Sequence, residues 1–434
     1  MSIRATRAPA RHRGPLHGLS TTLHRPSSGC DLCHNVRLDC AAAHAIEALI
    51  VEGDEEDPVP VNTRGAIMRS APGQWEVTDL VVDDPQAGEL QVKLAASGLC
   101  HSDDHIATGD MTVGKYPFLG GHEGAGVVTA VGPGVTGFEE GDHVVFSFLP
   151  GCGRCRYCAN GQQYICDSGA NLLIGSRWDD ATSFRVKTSD GEDVGQMCGL
   201  GTFAEITTVD VRSTVKIDKS IPLDVACLTG CGVGTGWGTA VQAGEVGAGD
   251  TVIVMGIGGI GINAVQGAAH AGASHVIAVD PVPFKLEKAR ELGATETFAS
   301  IEEAADFARS VTNGQGADKA LVTVGVLKGE HIAQAFEAIG KGGRVVVTGL
   351  GDLTDVGIPI NPSMLALFTK EIRGALFGDQ NPSSDKQKML RLYQEGNIKL
   401  DELITTRYSL DDINQGYADL HEGKNIRGDI ISDS

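Results

Sequence analysis

The sequence predicts an α/β protein in which a doubly wound parallel sheet adjoins an all-β barrel domain. Between residues 65 and 148, short alternating segments are separated by Gly, Pro and Asp, which is typical of antiparallel strands. From Asp250 the pattern changes to continuous apolar runs followed by segments of helix length, which indicates buried parallel strands with crossover helices. A chain of 434 residues has room for two or three domains.

Composition excludes several classes of partner. A net charge of −21 argues against nucleic acid or an anionic membrane surface as a partner, and no apolar run is long enough to span a bilayer. The 11 cysteines are an odd number, and no apolar signal segment precedes them. These features argue against a disulfide framework and favour a reducing, cytoplasmic location.

Residues 1–63 differ from the rest of the chain. They open with an Arg- and His-rich stretch, pass through CDLCHNVRLDC and end in the acidic VEGDEEDPVP. This composition predicts a disordered tail, with a misassigned translation start as the alternative, because a well-patterned strand begins only at Thr63. Cys30, Cys33 and Cys40 are weaker metal-ligand candidates, since no second pair with matching spacing accompanies them.

A cysteine cluster interrupts the strands that follow. Four cysteines with the spacing C-x₂-C-x₂-C-x₇-C can close a tetrahedron around one zinc ion, namely Cys152, Cys155, Cys158 and Cys166. An iron–sulfur cluster is the rival interpretation, but the spacing fits neither common ferredoxin pattern. The polar, turn-rich residues 170–200 then predict a surface excursion before the strand at 202–210.

A glycine motif marks the second half of the chain. Gly256, Gly258 and Gly261 form G-x-G-x-x-G directly after the apolar run TVIVM and before a helical segment. This context predicts a turn that binds a dinucleotide pyrophosphate. Asp280 ends the next strand, where a carboxylate binds the ribose hydroxyls and repels a 2′-phosphate, so NAD is expected over NADP. Further strands are predicted at 318–325, 343–350 and 371–378.

Cys100, His122 and Cys231 form a candidate catalytic metal site. Two thiols and one imidazole can hold zinc while leaving a fourth position open for water or substrate. Each residue alone is better explained as a buried structural cysteine or a core histidine. Their combination with the cysteine cluster and the glycine motif favours the metal site.

Taken together, these motifs resemble the zinc-dependent medium-chain alcohol dehydrogenases over residues 64–434. The segments that carry the resemblance are GLCHSD, GHEGAG, the four-cysteine loop, GCGVGTG, GIGGIG and IRGDI. The resemblance implies a Rossmann domain, the doubly wound parallel sheet, inserted in a GroES-like β-barrel catalytic domain. The implied boundaries are 64–231 for the catalytic domain with its zinc loop at 152–166, 232–377 for the Rossmann domain, and 378–434 for a return to the catalytic domain.

The same resemblance implies roles for individual residues. Cys100, His122 and Cys231 match ligands of a catalytic zinc, and the four-cysteine loop matches a structural zinc site. Ser102 matches the hydroxyl that takes the alcohol proton, and His105 matches the relay to solvent. Further matches are Asp103 and Glu123 beside the metal, and Lys285 and Arg427 near the ribose and pyrophosphate of NAD(H). His101 stands where the family usually has a cation, so phosphate binding there depends on its protonation.

The implied reaction is the reversible oxidation of an alcohol to an aldehyde by hydride transfer to NAD. Within the family, DGEDVGQMCGLGTFAEITTV is similar to the nitrosodimethylaniline-dependent (nicotinoprotein) branch, which implies tightly bound NAD(H) and an external electron acceptor. A thiol-dependent formaldehyde dehydrogenase and a non-catalytic nucleotide-binding protein are the alternatives. We also expect a homo-oligomer.

Overall fold

The computed structural model describes residues 60–432. Short strands separated by turns fill its first part. They are β1 (Val61–Met68), β2 (Glu76–Val82), β3 (Glu89–Gly98), β4 (Phe118–Leu119), β5 (Gly124–Val131), β6 (His143–Phe146), β7 (Val186–Thr188), β8 (Asp193–Gln196), β9 (Ile206–Asp210) and β10 (Thr214–Lys216). The first strand begins before the predicted Thr63, because Val61 already pairs with Val82. Residues 61–63 therefore belong to the sheet, and the predictions for Cys30, Cys33 and Cys40 lie outside the described residues.

Strands β1, β2, β7, β8 and β4 close into a barrel in that order. The prediction that residues 170–200 form a surface excursion is wrong, because β7 and β8 lie in this segment and complete the barrel. Val186 and Val194 are fully buried between its strands. The two strands have only three and four residues. Their alternation is too short to be separated from a polar loop by pattern alone.

A six-stranded parallel sheet follows within the described part of the chain. Its strands are β11 (Thr251–Met255), β12 (His275–Val279), β13 (Glu296–Phe298), β14 (Ala317–Val322), β15 (Ile339–Val347) and β16 (Glu371–Gly374). They are ordered β13-β12-β11-β14-β15-β16, which is the order of a dinucleotide-binding doubly wound fold. In β11, Val252 and Val254 pack into the core on one face, whereas Ile253 and Met255 pack into the core on the other. The doubly wound sheet predicted from the sequence is confirmed.

Helices occur in both parts of the described chain, and several of them cover the two faces of this sheet. They are α1 (His101–Thr108), α2 (Arg156–Ala159), α3 (Leu223–Cys227), α4 (Gly232–Gly238), α5 (Gly261–His270), α6 (Pro283–Glu291), α7 (Ile301–Val311), α8 (Gly329–Ala338), α9 (Pro362–Leu367), α10 (Ser384–Gln394) and α11 (Ile413–His421). The start of α7 shows why such a segment forms a helix there, since Ser300 caps it by accepting the N–H of Glu303. No helix within residues 60–432 has the length and apolar content needed to cross a membrane.

After the parallel sheet, the chain returns to the first domain. The returning strands β17 (Ile404–Tyr408) and β18 (Arg427–Ile431) pair in parallel, and β18 also pairs antiparallel with β3. The resulting sheet runs β10-β6-β5-β3-β18-β17, with β9 on β3. This return carries Arg427 back beside residues of the first domain. The domain boundaries at 231/232 and 377/378 stay predictions.

Candidate active site

Cys100, His122 and Cys231 come together from three separate parts of the chain. Cys100 directly precedes α1, Cys231 directly precedes α4, and His122 lies in the loop between β4 and β5. Their sulfur and imidazole nitrogen atoms lie within 4.8 Å of one another and of a carboxylate oxygen of Glu123. All four residues are buried. The structure therefore groups the three predicted ligands, with Glu123 at the edge of the group.

Asp103 orients the imidazole of His122. Its Oδ2 lies 2.9 Å from Nδ1 of His122, and its Oδ1 accepts the N–H of Gly121 at 2.8 Å. Burial opposes a charged imidazole, but the charges of Asp103 and Cys100 hold the pKa of His122 well above its usual value. Nε2 of His122 is buried and has no hydrogen-bond partner within the described residues. Because Asp103 occupies the side of Nδ1, Nε2 is the nitrogen that is left for a metal ion.

The surroundings favour a thiolate at Cys100. A hydrogen bond from Cys231 holds the pKa of Cys100 well below its usual value, and the same bond raises the pKa of Cys231 well above it. Thiolate sulfur and the free nitrogen of an imidazole whose other nitrogen meets a carboxylate are the donors that zinc takes. The residues present therefore fit a zinc ion.

Glu123 is held from two sides. Its Oε1 accepts the N–H of Gly232 at 3.0 Å, and its Oε2 forms an ion pair with Nη2 of Arg427. Burial raises the pKa of Glu123 to about 7, against the effect of the arginine. A Cβ atom built on Gly259 would lie 2.7 Å from Nη1 of Arg427. Arg427 therefore lies between the candidate metal group and the glycine turn.

The four-cysteine loop forms a second, separate group. The Sγ atoms of Cys152 and Cys158 are 3.9 Å apart, as are those of Cys155 and Cys166. A zinc tetrahedron with Zn–S bonds of about 2.3 Å has edges of ~3.8 Å, so these separations fit zinc. The N–H of Cys155 also points at Sγ of Cys152, and the N–H of Cys158 at Sγ of Cys155, at 3.4 Å each. Such backbone contacts stabilise thiolates rather than neutral thiols.

Ser102 and His105 lie on α1, beside the first group. Oγ of Ser102 is 3.7 Å from Sγ of Cys100. His105 follows one turn later and is buried, with Nδ1 lying 3.1 Å from Oδ2 of Asp110. Its Nε2 has no hydrogen-bond partner within residues 60–432. The helix thus carries both predicted proton-transfer residues, although the two side chains do not contact each other.

The glycine turn has the geometry that its motif predicts. Gly256 has φ of 90°, which favours glycine, and a Cβ atom on Gly261 would lie 1.9 Å from the carbonyl oxygen of Gly256. A Cβ atom on Gly258, in contrast, would meet nothing within 4 Å. Close packing on one side and open space on the other are what a backbone that approaches a ligand requires.

The remaining predicted cofactor residues lie near this turn. Asp280 accepts the N–H of Ile257 at 2.8 Å and that of Val282 at 2.9 Å, so it also holds the turn in shape. Nζ of Lys285 is 4.0 Å from the same carboxylate. His101 packs against Gly325, where a Cβ atom would be 3.5 Å from Nε2 of the imidazole. Burial lowers the pKa of His101, so the imidazole is neutral at neutral pH and supplies no fixed positive charge there.

Sequence reasoning missed three residues of this region. Asp110 contacts His105, Phe148 packs edge-on against His122 at 5.9 Å between ring centroids, and Lys386 is buried near Cys231. The sequence pattern could have indicated that Lys386 is buried. It precedes the buried Met389 and Leu390 by three and four residues and so shares their face of α10. Asp110 and Phe148 are single residues in loops, and no pattern indicated them.

Comparison with known proteins agrees with this geometry. Residues 86–219 match the alcohol dehydrogenase GroES-like domain, and residues 259–395 match the zinc-binding dehydrogenase family. An NDMA-dependent alcohol dehydrogenase of Amycolatopsis methanolica is 53% identical over 86% of this chain and 99% of its own. The chain belongs to the zinc-dependent alcohol dehydrogenase family.

A solved member of the zinc-dependent alcohol dehydrogenase family has the same fold. The alcohol dehydrogenase zinc-binding domain protein of Burkholderia ambifaria is 32% identical, with a TM-score of 0.81, and covers 87% of this chain and 100% of its own. A relative named for a different activity is less similar to this chain than the NDMA-dependent alcohol dehydrogenase is. The S-(hydroxymethyl)glutathione dehydrogenase of Saccharomyces cerevisiae is 34% identical over 86% of this chain and 97% of its own, against 53% for the Amycolatopsis protein. The comparisons therefore favour the predicted alcohol dehydrogenase over the formaldehyde alternative.

Proposed function

We propose that this protein interconverts alcohols and aldehydes at a zinc ion held by Cys100, His122 and Cys231, with NAD(H) bound on the Gly256–Gly261 turn. The observation that carries the proposal is the position of Ser102. Its hydroxyl lies 3.7 Å from the sulfur of a candidate ligand, and the preceding residue, His101, reaches the parallel-sheet domain at Gly325. A proton acceptor, a metal-binding group and a dinucleotide turn thus border one cleft.

Zinc, when bound, supplies Lewis-acid activation of an alcohol hydroxyl. The protein's own part is to hold the donors in place and to remove the proton. Asp103 keeps the imidazole of His122 turned so that Nε2 faces the sulfur atoms, because its carboxylate occupies the side of Nδ1. Glu123 and Arg427 pair their charges at the back of the group, so no unpaired acid competes with the ligands.

The proton leaves along α1. Ser102 Oγ accepts it from the alcohol, and Nε2 of His105 is the next acceptor, being buried without a partner of its own. Because these two side chains do not contact each other, a bound cofactor would supply a hydroxyl group for the transfer between them. Asp110, on the far side of the imidazole, is partly exposed and delivers the proton to solvent.

A nicotinamide cofactor supplies the hydride acceptor. The open space over Gly258 supports a pyrophosphate there, and the carboxylate of Asp280 favours NAD, because it would repel a 2′-phosphate. We extend the proposal to NAD(H) that stays bound between turnovers and passes its electrons to an external acceptor. The similarity to the NDMA-dependent relative supports this extension.

A second zinc ion at Cys152, Cys155, Cys158 and Cys166 is proposed to be structural. All four positions of its tetrahedron are taken by sulfur, so none is left for substrate. Its role is to hold together a loop whose regular structure consists of the short helix α2 and a single 3₁₀ turn, Gln163–Ile165.

We also propose a homo-oligomer formed through the edge of the parallel sheet. Strand β16 is the last strand of that sheet and pairs on one side only. In the segment that precedes β16 in the sequence, Leu353, Val356 and Leu367 are 71%, 88% and 75% exposed. An open strand edge and exposed apolar side chains each favour association with a second copy. Light scattering should find a dimer or larger species in the parent and a shift to monomer in Val356→Asp.

One experiment tests the main proposal. Purified protein, dialysed without added cofactor, is assayed with a series of primary alcohols and nitrosodimethylaniline as acceptor, while zinc and nicotinamide are quantified separately. We expect two zinc ions per chain, NAD(H) that survives dialysis, and acceptor reduction that depends on alcohol. Zinc without alcohol-dependent turnover under any acceptor, with NAD added or not, would refute the enzymatic assignment. Activity only with formaldehyde plus a small thiol would establish the alternative.

A further inference from the structure

Lys386 is a buried lysine close to the candidate metal group. It lies on α10 with 1% of its surface exposed. Its Nζ donates to the carbonyl oxygens of Thr229 at 2.7 Å and Gly230 at 3.3 Å. It forms no ion pair with any carboxylate in the part of the chain that the structure describes. Burial lowers the pKa of Lys386 to about 7, because an ammonium group buried without an anion is unfavourable.

The two carbonyl groups belong to the turn that delivers Cys231. Leu228–Gly230 form a single 3₁₀ turn, and Cys231 follows at once, before α4 begins. A 3₁₀ turn leaves its last carbonyl oxygens without partners inside the turn. Lys386 satisfies two of them from outside. The ammonium therefore fixes the backbone immediately before a predicted ligand.

Aromatic side chains pack on the other side of the Lys386 amino group. The ring centroid of Phe377 lies 4.6 Å from Nζ of Lys386. Phe377 packs edge-on against Phe148 at 5.0 Å, and Phe148 packs edge-on against His122 at 5.9 Å. Lys386 is thus linked by direct contacts to the backbone before Cys231 and by ring packing to His122.

The negative charges that act on Lys386 come from Cys231, Glu123 and Asp385. Asp385 is engaged elsewhere, since its Oδ2 accepts from Gln242 at 3.0 Å and from the N–H of Asn381 at 2.7 Å. Glu123 is paired with Arg427. Both carboxylates are thus engaged by other partners, and the two carbonyl oxygens of Thr229 and Gly230 are what hold Lys386 in place.

We propose that Lys386 is a positioning residue of the metal centre, which holds the carbonyl groups of Thr229 and Gly230 and thereby fixes the backbone that places Cys231. The inference rests on the proposed function, because it requires zinc at Cys100, His122 and Cys231. The consequence is retention of zinc at that centre. Residues that act on metal ligands from behind typically change metal affinity by about 10- to 100-fold.

The test compares Lys386→Met, Lys386→Gln and a matched control, Lys388→Met, on the same helix but exposed to solvent. Zinc transfer from the fully loaded protein to a chromogenic chelator is followed, and the four-cysteine loop serves as an internal reference in each sample. We expect Lys386→Met to release one of the two zinc ions about 10- to 100-fold faster than the parent does. Lys386→Gln, which keeps a donor without the charge, should be intermediate, and Lys388→Met should match the parent.

Substitution of cobalt for zinc at the same centre gives a second measurement, the cobalt absorption spectrum, which a loss of overall stability does not change. The thiolate-to-cobalt absorption band of folded Lys386→Gln should shift relative to the parent, while the band from the four-cysteine loop stays unchanged. Release rates and cobalt spectra that equal those of the parent in both position-386 variants would overturn the inference. A parent protein that binds only one zinc ion would instead overturn the proposed function, so the two failures are distinguishable.

Discussion

Oδ2 of Asp110 lies 3.1 Å from Nδ1 of His105, and Oγ1 of Thr108 donates to the same oxygen at 2.9 Å. Hydrogen bonds from His105 and Thr108 lower the pKa of Asp110, so its carboxylate stays ionised at neutral pH. An ionised partner at Nδ1 keeps the imidazole proton on that nitrogen. Nε2 is then the unprotonated nitrogen, and it is the one that can receive a proton from inside the cleft.

Asp110→Asn should slow alcohol oxidation because an amide no longer fixes this tautomer. We expect kcat to fall roughly 10-fold, less than the 10²–10⁴-fold value of a complete acid–base step. The loss should carry a larger solvent isotope effect. Thr108→Val is the control, because it keeps the His105–Asp110 pair. Equal rates and isotope effects in Asp110→Asn and the parent would remove Asp110 from the proton path.

Ser102→Ala should keep both zinc ions and the cofactor yet lose most alcohol oxidation. Ser102 is not a predicted ligand, and the glycine turn is remote from its hydroxyl, so binding is expected to survive. Turnover should fall by about 10²–10⁴-fold, because the alcohol proton loses its first acceptor. Ser102→Thr keeps a hydroxyl and should be far more active than the alanine variant. Steady-state rates across pH test this order, and an alanine variant as active as the parent would contradict the mechanism.

Asp280→Ala should change both cofactor preference and cofactor affinity. The carboxylate is expected to repel a 2′-phosphate, and it also accepts the N–H groups of Ile257 and Val282. Its removal should lower the ratio of NAD to NADP affinity and weaken both by about 10-fold, the value of a buried hydrogen bond. Asp280→Asn keeps an acceptor without the charge, so it should change the ratio with less loss of affinity. Titration of cofactor-free protein by fluorescence measures both, and an unchanged ratio would exclude Asp280 from ribose recognition.

Cys155→Ser should lose one zinc ion and lower the melting temperature. The variant removes one thiolate of a closed site, and the loop around it has little core of its own. Alcohol-dependent activity should decline with stability rather than before it, because the other group is separate. Calorimetry and metal analysis of the variant provide the check, with Cys227→Ser, at a buried cysteine outside both groups, as the control for thiol loss. A variant with parent stability would contradict a structural role.

Asp429 should make the protein less stable as the pH rises. It is fully buried, neither carboxylate oxygen has a hydrogen-bond partner within the described residues, and burial raises its pKa to about 8. Its unfolded pKa is about 3.9, so the folded state holds the extra proton between these values. The stability that the protonated Asp429 contributes to the folded state is therefore fully present below pH ~4 and is lost as the pH rises through about 8.

Asp429→Asn should flatten this dependence, because an amide keeps the shape without ionising. Melting temperatures at pH 5 and pH 8 are compared with those of the parent and of Glu402→Gln, at an exposed position. The asparagine variant should gain stability relative to the parent mainly at pH 8. The assignment is wrong if the difference between the two pH values is the same in all three proteins.

Strong local patterns made much of the fold predictable. The apolar run of β11, the glycine motif after it and the four-cysteine spacing each require one structure over a few residues, and the structure has a buried strand, a tight turn and a group of four sulfur atoms at these positions. The grouping of Cys100, His122 and Cys231 was predictable only from their donor chemistry and from family resemblance. Their roles in catalysis stay predictions.

What could not be predicted depends on contacts between distant segments. Strands β7 and β8 are too short to show alternation, and they acquire their identity by closing the barrel against β2 and β4. Lys386 looks like a surface residue of a charged helix until the turn before Cys231 packs on it. Asp110 gains its partner from the geometry at the end of α1 rather than from any local pattern.

Glu123 and Arg427 are separated by 304 residues, and the whole parallel-sheet domain lies between them. During synthesis that domain is therefore complete before Arg427 is added to the chain. Until then Glu123 has no cationic partner from β18, and β3 cannot pair with β18. The four-cysteine loop is complete within residues 152–166 and can take up zinc during synthesis. The two metal centres are thus expected to mature at different times, the loop on the nascent chain and the Cys100 centre after Arg427 has been synthesised.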